Sequence, residues 1–140
     1  MIRGVHHIAI AVPDLEAALP LYKERFGFQL HAIERVPDQR VRVAVLVNGP
    51  HRIELVEPAD ASSPISGFLE RRGPGLHHIC LDVQGIDPLL ADLGAAGIRL
   101  IDAAPRPGAE GRRVAFVHPK STGGVLTEFC QSRDADAAGP

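Results

Sequence analysis

Val5-His6-His7-Ile8-Ala9-Ile10-Ala11-Val12 is met again, 71 residues on, as Leu76-His77-His78-Ile79-Cys80-Leu81-Asp82-Val83. The correspondence continues outward at that spacing. Leu15 matches Ile86, Leu19 matches Leu90, and Arg42-Val43-Ala44-Val45 matches Arg113-Val114-Ala115-Phe116. One residue is dropped between these, so that Gly27-Phe28-Gln29-Leu30 matches Gly97-Ile98-Arg99-Leu100. Ile53-Glu54-Leu55 then matches Thr127-Glu128-Phe129 at an offset of 74. The drift falls where loops belong. So many matches in one order mark a duplicated half. They divide a single domain, residues 1–140, into module one (1–58), a linker helix (59–73), module two (74–132) and a frayed tail (133–140).

Each half reads as βαβββ. In the first strand, about 5–12, Ile8, Ile10 and Val12 point one way while His7, Ala9 and Ala11 point the other. Pro13-Asp14 opens a helix whose apolar residues Leu15, Ala18, Leu19, Tyr22 and Phe26 fall at helical spacing, with Gly27 as its left-handed stop. Strands at about 28–35, 41–47 and 51–57 complete the module. Module two repeats this with a strand at 77–83, a helix at 87–96 stopped by Gly97, and strands at 98–101, 113–118 and 124–131. Between the halves, Ser63-Pro64 reads as an N-cap followed by proline in the first helical turn, with Ile65, Phe68 and Leu69 as the apolar stripe.

The totals exclude several functions. A formal charge of -2 gives no basic footprint for nucleic acid or an anionic membrane. No apolar run is long enough to span a bilayer, and the alternating strand at the N-terminus shows no signal-peptide core. Only two cysteines, Cys80 and Cys130, argue against a disulfide scaffold and for a reducing compartment, the cytoplasm. Pro119-Lys120-Ser121-Thr122 lacks the glycine a phosphate-binding loop needs before its lysine, and no nucleophile elbow or dinucleotide fingerprint occurs.

The repeat also places chemistry. His7 and His78 open equivalent strands on the face turned away from the helices. Glu54 and Glu128 occupy equivalent places among Ile, Leu, Thr and Phe, where an isolated carboxylate is costly. Single residues of this kind are usually structural; four at repeat-equivalent positions point to a metal centre. Two imidazoles and two carboxylates suit a borderline divalent ion such as Co²⁺, Mn²⁺, Ni²⁺ or Zn²⁺; Co²⁺ is the expected one. The expected fold class is therefore α+β, two βαβββ modules related by a pseudo-two-fold axis and forming a curled mixed sheet around a metal cup. His6 and His77 alternate to the opposite face, His31, His51 and His118 have no equivalents, and Cys80 and Cys130 read as pocket-lining thiols.

These doubled strands with a late glutamate resemble the vicinal oxygen chelate superfamily. Three longer stretches, Ser63-Pro-Ile-Ser-Gly-Phe-Leu69, Gly75-Leu-His-His-Ile-Cys80 and His118-Pro-Lys-Ser-Thr-Gly-Gly-Val-Leu-Thr-Glu128, resemble its methylmalonyl-CoA epimerase family, over about residues 3–131. That resemblance places metal ligands at His7, Glu54, His78 and Glu128, the set already reached from the repeat. It implies a homodimer, a coenzyme A thioester as substrate, and epimerisation between 2R and 2S forms through an enolate.

Within that chemistry Glu128 is the first choice as catalytic base and Glu54 the candidate on the other side. Some relatives carry a further glutamate near Val43, where valine cannot transfer a proton. The loop Lys120–Gly124 offers Lys120, Ser121 and Thr122 as substrate contacts, against a plain hairpin connection. The alternatives are glyoxalase I, with a similar ligand set, and a metal-free small-molecule binding protein of the same fold.

Overall fold

The computed structural model describes residues 1–132; the expected frayed tail lies outside them. The chain falls into two compact units: residues His7–His77, and Met1–His6 together with the residues from His78 onward. The expected α+β class with two βαβββ modules holds, each unit repeating one strand order.

In the first unit the order is β2 (Gln29–Val36), β3 (Val41–Asn48), β4 (His51–Pro58) and the part of β1 (Ile2–Ala11) from His7 onward. β1 runs parallel to β4, placing Ala9 beside Glu54, while β2–β3 and β3–β4 are antiparallel. Between β1 and β2, α1 (Leu15–Pro20) starts at Asp14, whose carboxylate accepts the Glu16 amide at 3.0 Å. The helix does not run unbroken to Gly27 as the periodicity predicts. Pro20 brings no N–H, and beyond it Leu21–Arg25 widens into a π-helical turn in which the Phe26 amide donates to the Leu21 carbonyl. Gly27 still ends the segment, at φ +78°. α2 (Pro64–Arg72) is capped by Ser63, whose hydroxyl accepts the Ile65 amide at 3.2 Å, as expected.

In the second unit the order is β5 (Gly75–Val83), β8 (Thr127–Gln131), β7 (Arg113–Val117), β6 (Arg106–Pro107). β5 is parallel to β8 and sets Cys80 beside Glu128. The predicted strand at 98–101 is not formed; Leu100 makes an isolated bridge to Val117 instead. The cause is local, since the Asp102 carboxylate takes the Phe116 amide at 2.8 Å in place of a strand carbonyl. The edge passes to β6, two residues long and ending on a proline. Gly108, just beyond, is required by close approach, since a Cβ there would sit 2.6 Å from a Val114 methyl. The last strand begins at Thr127 rather than 124 because Gly123 and Gly124 turn left-handed at φ +69° and +95°.

The helix-facing cores are themselves a repeat. Val12, Leu15, Leu19, Ala44, Leu46 and Leu55 pack in the first unit. Their six equivalents, Val83, Ile86, Leu90, Ala115, Val117 and Phe129, pack in the second. The helix starts repeat as well. Glu57 Oε2 accepts the Leu15 amide at 2.6 Å, and its equivalent Gln131 accepts the Ile86 amide from Oε1 at 2.7 Å. The second contact matters more, because α3 (Ile86–Ala95) has Gly85 as its N-cap and no side-chain cap of its own. Gln131→Ala is expected to strand the buried Ile86 amide and cost about 1–2 kcal/mol in urea unfolding. A change below a few tenths would show that the amide finds another acceptor.

Candidate metal centre

Alternation along each strand leaves the face away from the helices to a second set of side chains. In the first unit it carries His7, Ala9, Val43, Val45 and Glu54, with Val45 directly opposite Glu54 across the β3–β4 ladder. In the second it carries His78, Cys80, Val114, Phe116, Glu128 and Cys130, with Phe116 opposite Glu128. All four expected ligands are buried: His7 is 6% exposed, Glu54 6%, His78 7% and Glu128 5%.

Each unit joins its histidine to its glutamate. His7 Nδ1 lies 3.1 Å from Glu54 Oε2, and His78 Nε2 lies 3.1 Å from Glu128 Oε1. The two rings present different nitrogens, so the repeat is kept in position and not in ring orientation. The Phe116 ring meets the His78 ring edge-on at 5.3 Å between centroids and restricts how it can turn. Glu54 also receives Arg52, whose Nε is 3.0 Å from the same Oε2 that His7 approaches. Sequence reasoning overlooked Arg52, although its position two residues before Glu54 on one strand was a signal for it.

The remaining candidates separate. Cys80 and Cys130 are free, buried and packed with Val114. Burial, then the Cys130 side chain and the Glu128 charge, push the Cys80 thiol far above its ordinary range, so it stays protonated and inert. His77 turns to the opposite side and meets the Phe68 ring at 4.9 Å. His118 caps its own loop, its Nδ1 accepting the Lys120 amide at 3.0 Å, and burial beside Arg99 and Lys120 lowers its pKa.

That loop is internally bonded. Ser121 Oγ accepts the Arg99 amide at 2.9 Å and Thr122 Oγ1 donates to the Val125 carbonyl. The backbone amides of Lys120, Ser121, Thr122 and Gly124 all find acceptors within it, whereas the Lys120 side chain is exposed. Of the arginines, Arg113 pairs with Asp87 at 2.8 Å, repeating the Arg42–Glu16 pair of the first unit. Arg112 Nη1 lies 4.0 Å from Cys130 Sγ. No helix among the described residues is long and apolar enough to cross a membrane.

Comparison with known proteins bears on this arrangement. Residues 6–116 match the model of the Glyoxalase/Bleomycin resistance protein/Dioxygenase superfamily. The chain is 41% identical to the ethylmalonyl-CoA/methylmalonyl-CoA epimerase of Cereibacter sphaeroides, across 94% of this chain and 99% of that protein. The crystal structure of methylmalonyl-CoA epimerase from Mycobacterium tuberculosis superposes with a TM-score of 0.91 at 36% identity, over 98% of this chain and 93% of that one. A methylmalonyl-CoA epimerase solved with methylmalonyl-CoA and NH4+ superposes equally, with a TM-score of 0.91 and 34% identity over 96% and 98% of the two chains.

Proposed function

Because this chain belongs to the Glyoxalase/Bleomycin resistance protein/Dioxygenase superfamily and, within it, to the methylmalonyl-CoA epimerases, we propose that it interconverts 2R- and 2S-methylmalonyl-CoA through an enolate, with a divalent metal ion. The observation carrying this reading is the pair of buried His–Glu contacts, each 3.1 Å, at repeat-equivalent places in the two units.

His7, Glu54, His78 and Glu128 are the proposed ligands. Their donor set, two imidazole nitrogens and two carboxylates, suits a borderline divalent ion; Co²⁺ is the one proposed, and the set also admits Mn²⁺, Ni²⁺ or Zn²⁺. Bound there, the ion supplies the positive charge that stabilises charge developing on the substrate's thioester oxygen. The chain's own groups supply the rest. Glu128 takes the acidic proton from the carbon between thioester and carboxylate, and Glu54 is the proposed donor to the opposite face. Val43 and Val45 beside Glu54, and Cys80, Val114 and Phe116 beside Glu128, offer apolar walls that strengthen these interactions by excluding water. The protonated Cys80 thiol cannot compete as a base. Lys120, with Ser121 and Thr122, is the proposed contact for the anionic parts of the coenzyme A thioester; the exposed Lys120 ammonium best suits that role.

The test is to strip the protein with chelator, restore Co²⁺, and follow methylmalonyl-CoA in D₂O by mass spectrometry. Uptake of one deuteron at the α-carbon with loss of chiral purity, only when metal is present, is expected. Exchange no faster than the metal-free blank overturns the proposal, and activity on a glutathione hemithioacetal would replace it with glyoxalase chemistry. A homodimer is proposed on the resemblance, and light scattering of the same sample should give twice 15.0 kDa. The two free cysteines support a cytoplasmic setting, which fractionation of the source cells would contradict by finding the protein elsewhere.

A further inference from the structure

Resting on that metal-site reading, we infer that Arg52 is a positioning residue that sets the charge of the site through Glu54. Arg52 and Glu54 stand two apart on β4 and therefore share a face. Arg52 Nε and His7 Nδ1 reach the same carboxylate oxygen, at 3.0 and 3.1 Å. Oε2 is thereby held by two partners at once. The Arg52 and Glu54 side chains are 15% and 7% exposed, so water screens their charges far less than at the surface.

The contact also breaks the repeat. At the spacing that matches Glu54 with Glu128, the residue corresponding to Arg52 is Leu126. Glu54 is held by a guanidinium two residues before it on its own strand, and Leu126 takes the corresponding place in the sequence before Glu128. Charge counting gives Arg52 a purpose. Two carboxylates cancel the charge of a divalent ion, whereas the substrate arrives carrying a carboxylate and then develops a further negative charge. Arg52 returns one positive charge to the centre while keeping Glu54 oriented as a ligand. It repels the ion slightly and favours the charge that forms on substrate.

These effects pull in opposite directions, which makes them separable from a packing role. In Arg52→Gln, Co²⁺ should bind about tenfold more tightly in competition with a chelator, while kcat at saturating Co²⁺ falls about tenfold, the lower end of what outer-shell partners command. Arg52→Lys keeps the charge and should restore the Co²⁺ affinity with part of kcat. In the double variant Arg52→Gln with Glu54→Gln, the affinity gain should disappear. Affinity and kcat falling together, or neither moving, would overturn the role of Arg52 while leaving the metal site standing. A wild-type protein that binds no Co²⁺ would overturn the metal-site reading, and this inference with it.

Discussion

Glu128→Gln should abolish most α-proton exchange, lowering the Co²⁺-loaded rate in D₂O by on the order of a thousandfold, as expected for loss of a positioned general base. The substitution keeps the size of the side chain, so the apolar packing around Cys80, Cys130 and Val114 should survive. Its amide can still face His78 Nε2, now 3.1 Å from Glu128 Oε1. What it cannot do is accept a proton from carbon. Saturation with Co²⁺ separates this loss from any weakening of metal binding. A rate within tenfold of wild type would place the base elsewhere, and Glu54 would be the group to replace next.

The second large effect is expected at His78. His78→Ala removes one imidazole from the proposed ligand set, and outer-shell changes alone commonly cost 10–100-fold in affinity or activity. Loss of a ligand should therefore weaken Co²⁺ binding by on the order of a thousandfold, about 4 kcal/mol, in chelator competition. His77→Ala is the informative control, because the neighbouring ring packs edge-on against Phe68 on the opposite side. Its affinity should stay within about twofold of wild type. Equal losses from both substitutions would mean that a general loosening of β5, and not ligation, governs the result.

Much of this fold was legible because the repeat is written in apolar residues. Leu15 with Ile86, Leu19 with Leu90, and Leu55 with Phe129 were paired from spacing and proved to be matching members of two cores. His7, Glu54, His78 and Glu128 were legible for the same reason: each is a polar residue out of place in a strand, and each has a counterpart. What stayed hidden acts outside those periods. Pro20 alters the turn after it through an absent N–H. Asp102 displaces a strand by taking the Phe116 amide, and Gln131 caps a helix 45 residues away in the chain. No local pattern reports a capping group supplied from so far along the sequence.

The division of β1 between the two units bears on how the chain is made. Residues Met1–His6 belong with the unit that begins at His78, and the Gln84 amide donates to the Met1 carbonyl at 3.0 Å. Yet the core of the other unit, from Val12 to Leu55, is complete in the first half of the sequence. A ribosome making this chain can therefore let that core collapse early, while residues Met1–His6, made before it, must wait for Gln84 before they dock. A segment synthesised before that core is then secured after it, and its unsheltered strand edge during that interval is where a trapping chaperone, or a second nascent copy, would take hold.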